Sequence, residues 1–115
     1  MIAGVYNIYC EQGATFERTF TITNPDGTVY DLTGFAARMH VRKDFDSATT
    51  FVELTQANGR IEMVPLFGEI RINLPASVTA TLVKDGVYDL EIFNAGGTVY
   101  RVLQGQFKVA KEVTK

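Results

Sequence analysis

Tryptophan is absent from this 115-residue chain, and cysteine and histidine occur once each, as Cys10 and His40. A single thiol cannot close an intramolecular disulfide, so nothing covalent staples the fold. Cys10 shares the parity of Tyr6 and Ile8 and reads as a small buried apolar side chain. Tetrahedral zinc draws on several Cys and His ligands that this composition does not contain. A Cys-His or Ser-His-acid nucleophile would have to be assembled from Cys10, His40 and either Ser47 or Ser77. His40 alternates with Arg38 and Arg42 on the polar side of its segment, which points to a solvated residue rather than a base or a ligand. An excess of either charge is missing as well. The chain mixes 13 acidic with 11 basic residues for a formal net charge of -2, which offers no field to phosphate backbones and disfavours nucleic acid. No apolar run approaches the roughly 20 residues of a membrane-crossing helix. Residues 1–7 hold neither the basic segment nor the apolar core of a leader. The expectation is a chain made in the cytoplasm and not processed, with no membrane partner.

What is present is alternation. At 115 residues the chain fits one domain, 1–115, large enough to bury a core without a metal. The clearest signal lies in residues 85–109. Tyr88, Leu90 and Ile92 fall on one side of a segment and Asp89 and Glu91 on the other, which is the period of a half-buried strand. Gly96 and Gly97 then allow a tight reversal. A two- or four-residue loop there pairs Leu90 with Arg101 or Leu103 and places Val99, Leu103, Phe107 and Val109 on the core face. Earlier strands are expected over residues 5–11, 15–23 and 35–42. Two more, over 51–55 and 60–64, join through an Asn58-Gly59 hairpin turn, and another covers 69–74. Asn24-Pro25-Asp26-Gly27 is a turn, residues 43–50 form a surface loop, and 77–83 provide a brief helical crossover. The tail, 110–115, is expected to fray.

Seven or eight short strands with one helical crossover predict an all-β, immunoglobulin-like antiparallel β-sandwich, with a small β-barrel as the alternative. Tyr88 followed by Leu90 matches a tyrosine corner, in which the hydroxyl bonds back to the preceding corner and Leu90 stands where antibody domains place a cysteine.

Candidate chemistry is sparse. Asp26, Asp31, Asp44 and Asp46 do not follow a calcium-hand spacing, and turn formation accounts for them. Asp89 and Glu91 are two apart on one strand face, a carboxylate pair that would serve glycoside hydrolysis only if that face lay in a pocket. No cofactor or metal is expected. Arg18 and Arg101 fall at inward parity, so each sits at a rim with its stem covered, or a bulge turns Arg101 outward to anchor a partner. Thirteen aromatics, 8 Phe and 5 Tyr, exceed what a core of this size needs. Tyr9, Tyr30, Tyr100 and Phe67 are the candidates for exposure, and with Arg101 they make the candidate partner contacts.

The succession Tyr6-Asn7, Gln12-Gly13-Ala14-Thr15-Phe16, Asp31-Leu32-Thr33-Gly34-Phe35 and Ala37-Arg38-Met39 resembles a family of small tailed-bacteriophage structural proteins. Leu74-Pro75-Ala76, Thr79, Leu82, the run from Gly86 to Glu91, the stretch from Val99 to Arg101, then Leu103, Gly105 and Val113-Thr114 continue the pattern. The layout is also similar to the N-terminal immunoglobulin-like module of phage upper baseplate proteins that hold receptor-binding proteins. Family members often end in arginine after Val-Thr, where this chain has Lys115. The resemblance implies a non-enzymatic virion protein, an adaptor of tail, baseplate or fibre-attachment region. Its partners would be other virion proteins and copies of itself. A capsid decoration protein or a carbohydrate-binding module with a glycan partner is the alternative.

Overall fold

Two facing sheets realise this alternation in the computed structural model, which describes residues 3–114. Lys115, where the terminal residue departs from the family pattern, and Met1, the first residue of the expected leaderless start, lie outside the described residues. The larger sheet has the order β5-β4-β8-β9, from Thr50–Thr55, Phe35–Arg42, Gly86–Asn94 and Val99–Ala110. Two short segments, β1 (Gly4–Val5) and β2 (Ile8–Glu11), lie along the far side of β9. The smaller sheet runs β3-β7-β6, from Phe16–Thr21, Glu69–Leu74 and Ile61–Val64. No ladder joins the two sheets among the described residues, so the molecule is a sandwich and not the alternative barrel. The order β3-β7-β6 facing β9-β8-β4-β5 is the immunoglobulin arrangement, with β5 in the place of the extra strand that variable-type domains add. One turn of helix, α1 (Ala76–Thr79), carries the chain from β7 to β8 as the expected crossover.

The core forms where the inner faces meet. Ala37, Met39 and Val41 of β4, Val52 and Leu54 of β5, and Tyr88, Leu90 and Ile92 of β8 are buried against Ile61, Ile70, Ile72 and Leu74 of the small sheet. Ile8, Cys10, Phe16 and Phe107 close one flank, and Leu32 and Leu82 plug in from the connections. Burial pushes the Cys10 thiol above its ordinary pKa, against the smaller opposing pull of Arg18.

Several expectations need correction. The segments 51–55 and 60–64 do not form a hairpin, since β5 pairs only with β4 and β6 only with β7. Asn58-Gly59 does reverse the chain, with Gly59 at φ 78°, but the reversal hands it from one sheet to the other. Asn58 holds this crossover through its side chain, accepting from the Thr55 amide at 3.0 Å and donating to the Glu53 carbonyl at 3.0 Å. Antiparallel pairing holds throughout except at the N-terminus, where β1 and β2 run parallel to β9. This edge is interrupted at Tyr6-Asn7, and Tyr6, expected inward, is exposed.

The β8-β9 loop contains three residues, Ala95 to Gly97, closed by a bond from the Asn94 amide to the Thr98 carbonyl at 3.1 Å, with Gly97 at φ 88°. An odd loop length inverts the expected parity. Phe93 pairs with Val99 and Glu91 with Arg101, so Val99, expected in the core, faces solvent. A bulge between Leu90 and Glu91 then inserts Val102 into the core and restores the Leu90-Leu103 register. The three-residue loop, and not the bulge, is therefore what turns Arg101 outward, opposite Glu91.

Tyr88 does not make the expected corner bond to the residues just before it. Its buried hydroxyl donates to the carbonyl of Tyr6, across the sheet. Gly105 permits this contact, because a Cβ there would stand 2.4 Å from the Tyr6 carbonyl oxygen and 2.9 Å from its carbon. The start of the tail is also anchored. Gln12 donates its backbone amide to Ala110 at 2.9 Å and accepts from the Glu112 amide at 3.0 Å.

Candidate functional site

The five candidate contact residues are not brought together. Tyr9 stands 65% exposed on β2 at the edge of the large sheet, and Phe67 is equally exposed on a single 3-10 turn, Pro65–Phe67, at one end of the sandwich. Arg101 projects from the outer face of the large sheet. Tyr30 and Tyr100, expected at the surface, are half-buried and flank Phe35, with ring centroids 6.4 and 6.1 Å away. Three-residue loop geometry explains Tyr100, since it turns this ring inward opposite Ile92.

The outer face of the large sheet is a ladder of opposite charges. Arg38 Nε lies 2.9 Å from Glu91 Oε1, and Arg101 Nε lies 3.3 Å from Asp89 Oδ2. Arg101 also donates to Gln104 Oε1 at 3.2 Å. His40 Nε2 is 3.8 Å from Glu53 Oε1, while Arg42 Nη2 donates to His40 Nδ1 at 3.1 Å. The neighbouring strands impose this order, since His40 faces Glu53 across one ladder and Asp89 across the other.

Asp89 and Glu91 do line a cleft of about 240 Å³, together with His40, Arg42, Asp44 and Phe45. Each carboxylate is bound to its own arginine, so the pair the sequence suggested is a pair of ion pairs. Asp44 Oδ1 accepts from the Asp46 amide at 3.1 Å. Asp26 and Asp31 close Asx turns, each accepting both the amide and the hydroxyl of the threonine two residues on. The hydroxyl bonds, and then the amide bonds, hold both carboxyls below their ordinary pKa. Among the described residues no three His, Cys, Asp or Glu side chains cluster to hold a metal ion.

No protein-family model matches the chain, and no curated protein matches it.

Arg18 follows the rim expectation. Its guanidinium leaves the sheet, donating to the Glu17 carbonyl at 2.8 Å and lying 4.8 Å from the Phe16 ring centroid. Sequence parity missed a set of exposed apolar side chains. Val29 and Leu66 join Phe67 at one end of the sandwich, while Phe45 and Val83 are exposed near the other. The one signal for Leu66 was its position between Pro65 and Gly68, a turn too short to cover its own side chains.

Proposed function

We propose that this chain is a non-enzymatic structural protein of a tailed-bacteriophage virion, an adaptor of the tail, baseplate or fibre-attachment region that acts through protein–protein contacts. The sequence resemblance along the whole chain supports the kind of protein. The observation that carries an interaction role is the placement of large apolar and aromatic side chains in solvent, with Val5, Tyr6 and Tyr9 along one sheet edge and Leu66 and Phe67 on one end. A sandwich that uses its polar side chains to hold itself together, and leaves aromatics exposed, is organised to meet another surface. Tyr9, Phe67 and Arg101 remain the contact residues under this proposal; Tyr30 and Tyr100 support the fold beneath them.

Mass spectrometry of purified particles of the phage that encodes the chain tests the proposal. Stoichiometric recovery with intact virions is expected, and tail-only and capsid-only fractions separate an adaptor from a decoration protein. Recovery only from the infected-cell lysate, with none in particles, would overturn it.

A further inference from the structure

Two groups of exposed apolar side chains lie at opposite ends of the sandwich. At one end, the Pro65–Phe67 turn presents Leu66 and Phe67, 75% and 65% exposed, and Val29 lies beside it. The Leu32 amide bonds the Pro65 carbonyl at 3.1 Å, and the Ile22 amide bonds the Gly68 carbonyl at 2.8 Å, so this knob is pinned to the body. At the other end, Phe51 and residues 81–84 line an apolar notch of about 240 Å³, with Val83 56% exposed in its wall. Strand directions fix the separation. β7 leaves the knob at Glu69 and reaches the α1 end at Leu74, and β8 returns from the notch end at Gly86 to Asn94, opposite Phe35.

The knob end carries charge of one sign, whereas the notch end mixes Lys43 and Lys84 with Asp44, Asp46 and Asp85. Residues 22–34, 65–68 and 94–98, which build the knob end, hold the carboxylates of Asp26 and Asp31 and no basic side chain. Lys84 lines the notch, and among the described residues it enters no ion pair. The molecule measures 44 × 28 × 27 Å, and a strand of twelve residues such as β9 spans about 40 Å. An end face 28 × 27 Å across can bury on the order of 600 Å² per partner, close to the lower bound for specific association.

We infer that the Leu66-Phe67 knob of one copy seats in the Phe51-Leu82-Val83 notch of a second copy, with Asp31 facing Lys84, so that the chain associates head to tail. The two surfaces are different and lie at opposite ends. The contact is therefore heterologous, and it propagates into a ring or a stack instead of closing as a two-fold dimer. This self-association holds whether or not the chain is a virion component.

Sedimentation velocity over a range of concentrations tests it. The wild-type chain is expected to show reversible association, and Phe67→Asp or Val83→Glu to weaken it roughly 30-fold or more, as for a central interface residue. Both positions are exposed, and an unchanged circular dichroism spectrum verifies that the variants fold. Each variant retains one intact face. An equimolar mixture is therefore expected to form a one-to-one complex that neither forms alone. Lys84→Glu weakens association, and adding Asp31→Lys to the same chain restores it. A monomeric wild type up to about 1 mM, association that survives both single substitutions, or a mixture that forms no complex would each overturn the inference.

Discussion

Tyr88 places a phenol hydroxyl inside the sandwich, where among the described residues one acceptor, the Tyr6 carbonyl, meets it. Tyr88→Phe removes the donor and keeps the ring. The expected loss is about 1–2 kcal/mol by urea unfolding, with amide exchange accelerated first in β1 and β2. Burial, with a smaller contribution from nearby Tyr6, raises the Tyr88 pKa above its ordinary value of 10.0. The folded state thus prefers the protonated phenol. Its contribution is complete below pH 10 and is lost as pH rises toward the higher folded pKa, so the wild type loses more stability above pH 10 than Tyr88→Phe does. Unfolding midpoints of both proteins between pH 8 and 11 measure the difference, and parallel profiles would contradict it. Thr79 is the buried polar residue of α1. Its hydroxyl donates to the Ala14 carbonyl at 2.8 Å and accepts from the Gly13 amide at 3.1 Å. Thr79→Val keeps the shape but leaves both backbone groups without that partner, for an expected loss of about 1–3 kcal/mol. Urea denaturation of this variant should show an unchanged slope and a lower midpoint.

At the scale of elements, the strands were legible because each buries one face and period two reports it directly. Residues 35–42 and 69–74 match β4 and β7. Connections were less legible. Asn58-Gly59 specifies a reversal, but a reversal is the same local event whether the chain rejoins its own sheet or crosses to the facing one. The choice depends on Val52, Leu54 and Ile61 sharing one buried core, a long-range relation that no local pattern encodes. The β8-β9 ribbon failed for a different reason. A glycine pair permits two-, three- and four-residue loops alike, and the bulge at Val102 then cancels the inversion that the three-residue loop introduces. Gly105 was legible only as a component of the resemblance, yet it sets how closely the N-terminal edge can approach. In Gly105→Ala the new methyl meets backbone atoms of Tyr6 that cannot rotate away. The expected cost is roughly 1–3 kcal/mol, as for overpacking. Hydrogen exchange should locate it, with the Tyr6 amide bond to the Gln104 carbonyl, 2.9 Å long, weakened before the β4-β8 ladder.

For the whole molecule, parity could identify exposed residues one at a time but not whether they share a surface. Tyr9, Phe67 and Arg101 are all exposed and occupy an edge, an end and a face. The same organisation dictates how the chain tolerates truncation. Val5 in β1 is exposed, whereas Ile8 and Cys10 in β2 are fully buried between β9 and the rest of the core. Removing residues 1–5 keeps the Tyr6 carbonyl for Tyr88 and takes away the exposed Gly4 and Val5 of β1, so this variant should fold with a melting temperature lowered by a few degrees. Removing residues 1–11 also takes out Ile8 and Cys10 and the parallel ladder to β9. At about 1.5–3 kcal/mol for a fully buried aliphatic side chain, plus the exposed flank of Phe107 and the unpartnered Tyr88 hydroxyl, the loss approaches the whole stability of a small domain. Circular dichroism melts of the two truncations should therefore separate sharply, one cooperative and one without a transition. Cooperative melting of the shorter chain would mean that the β2 edge is dispensable to the sandwich, and that the remaining strands alone close the core.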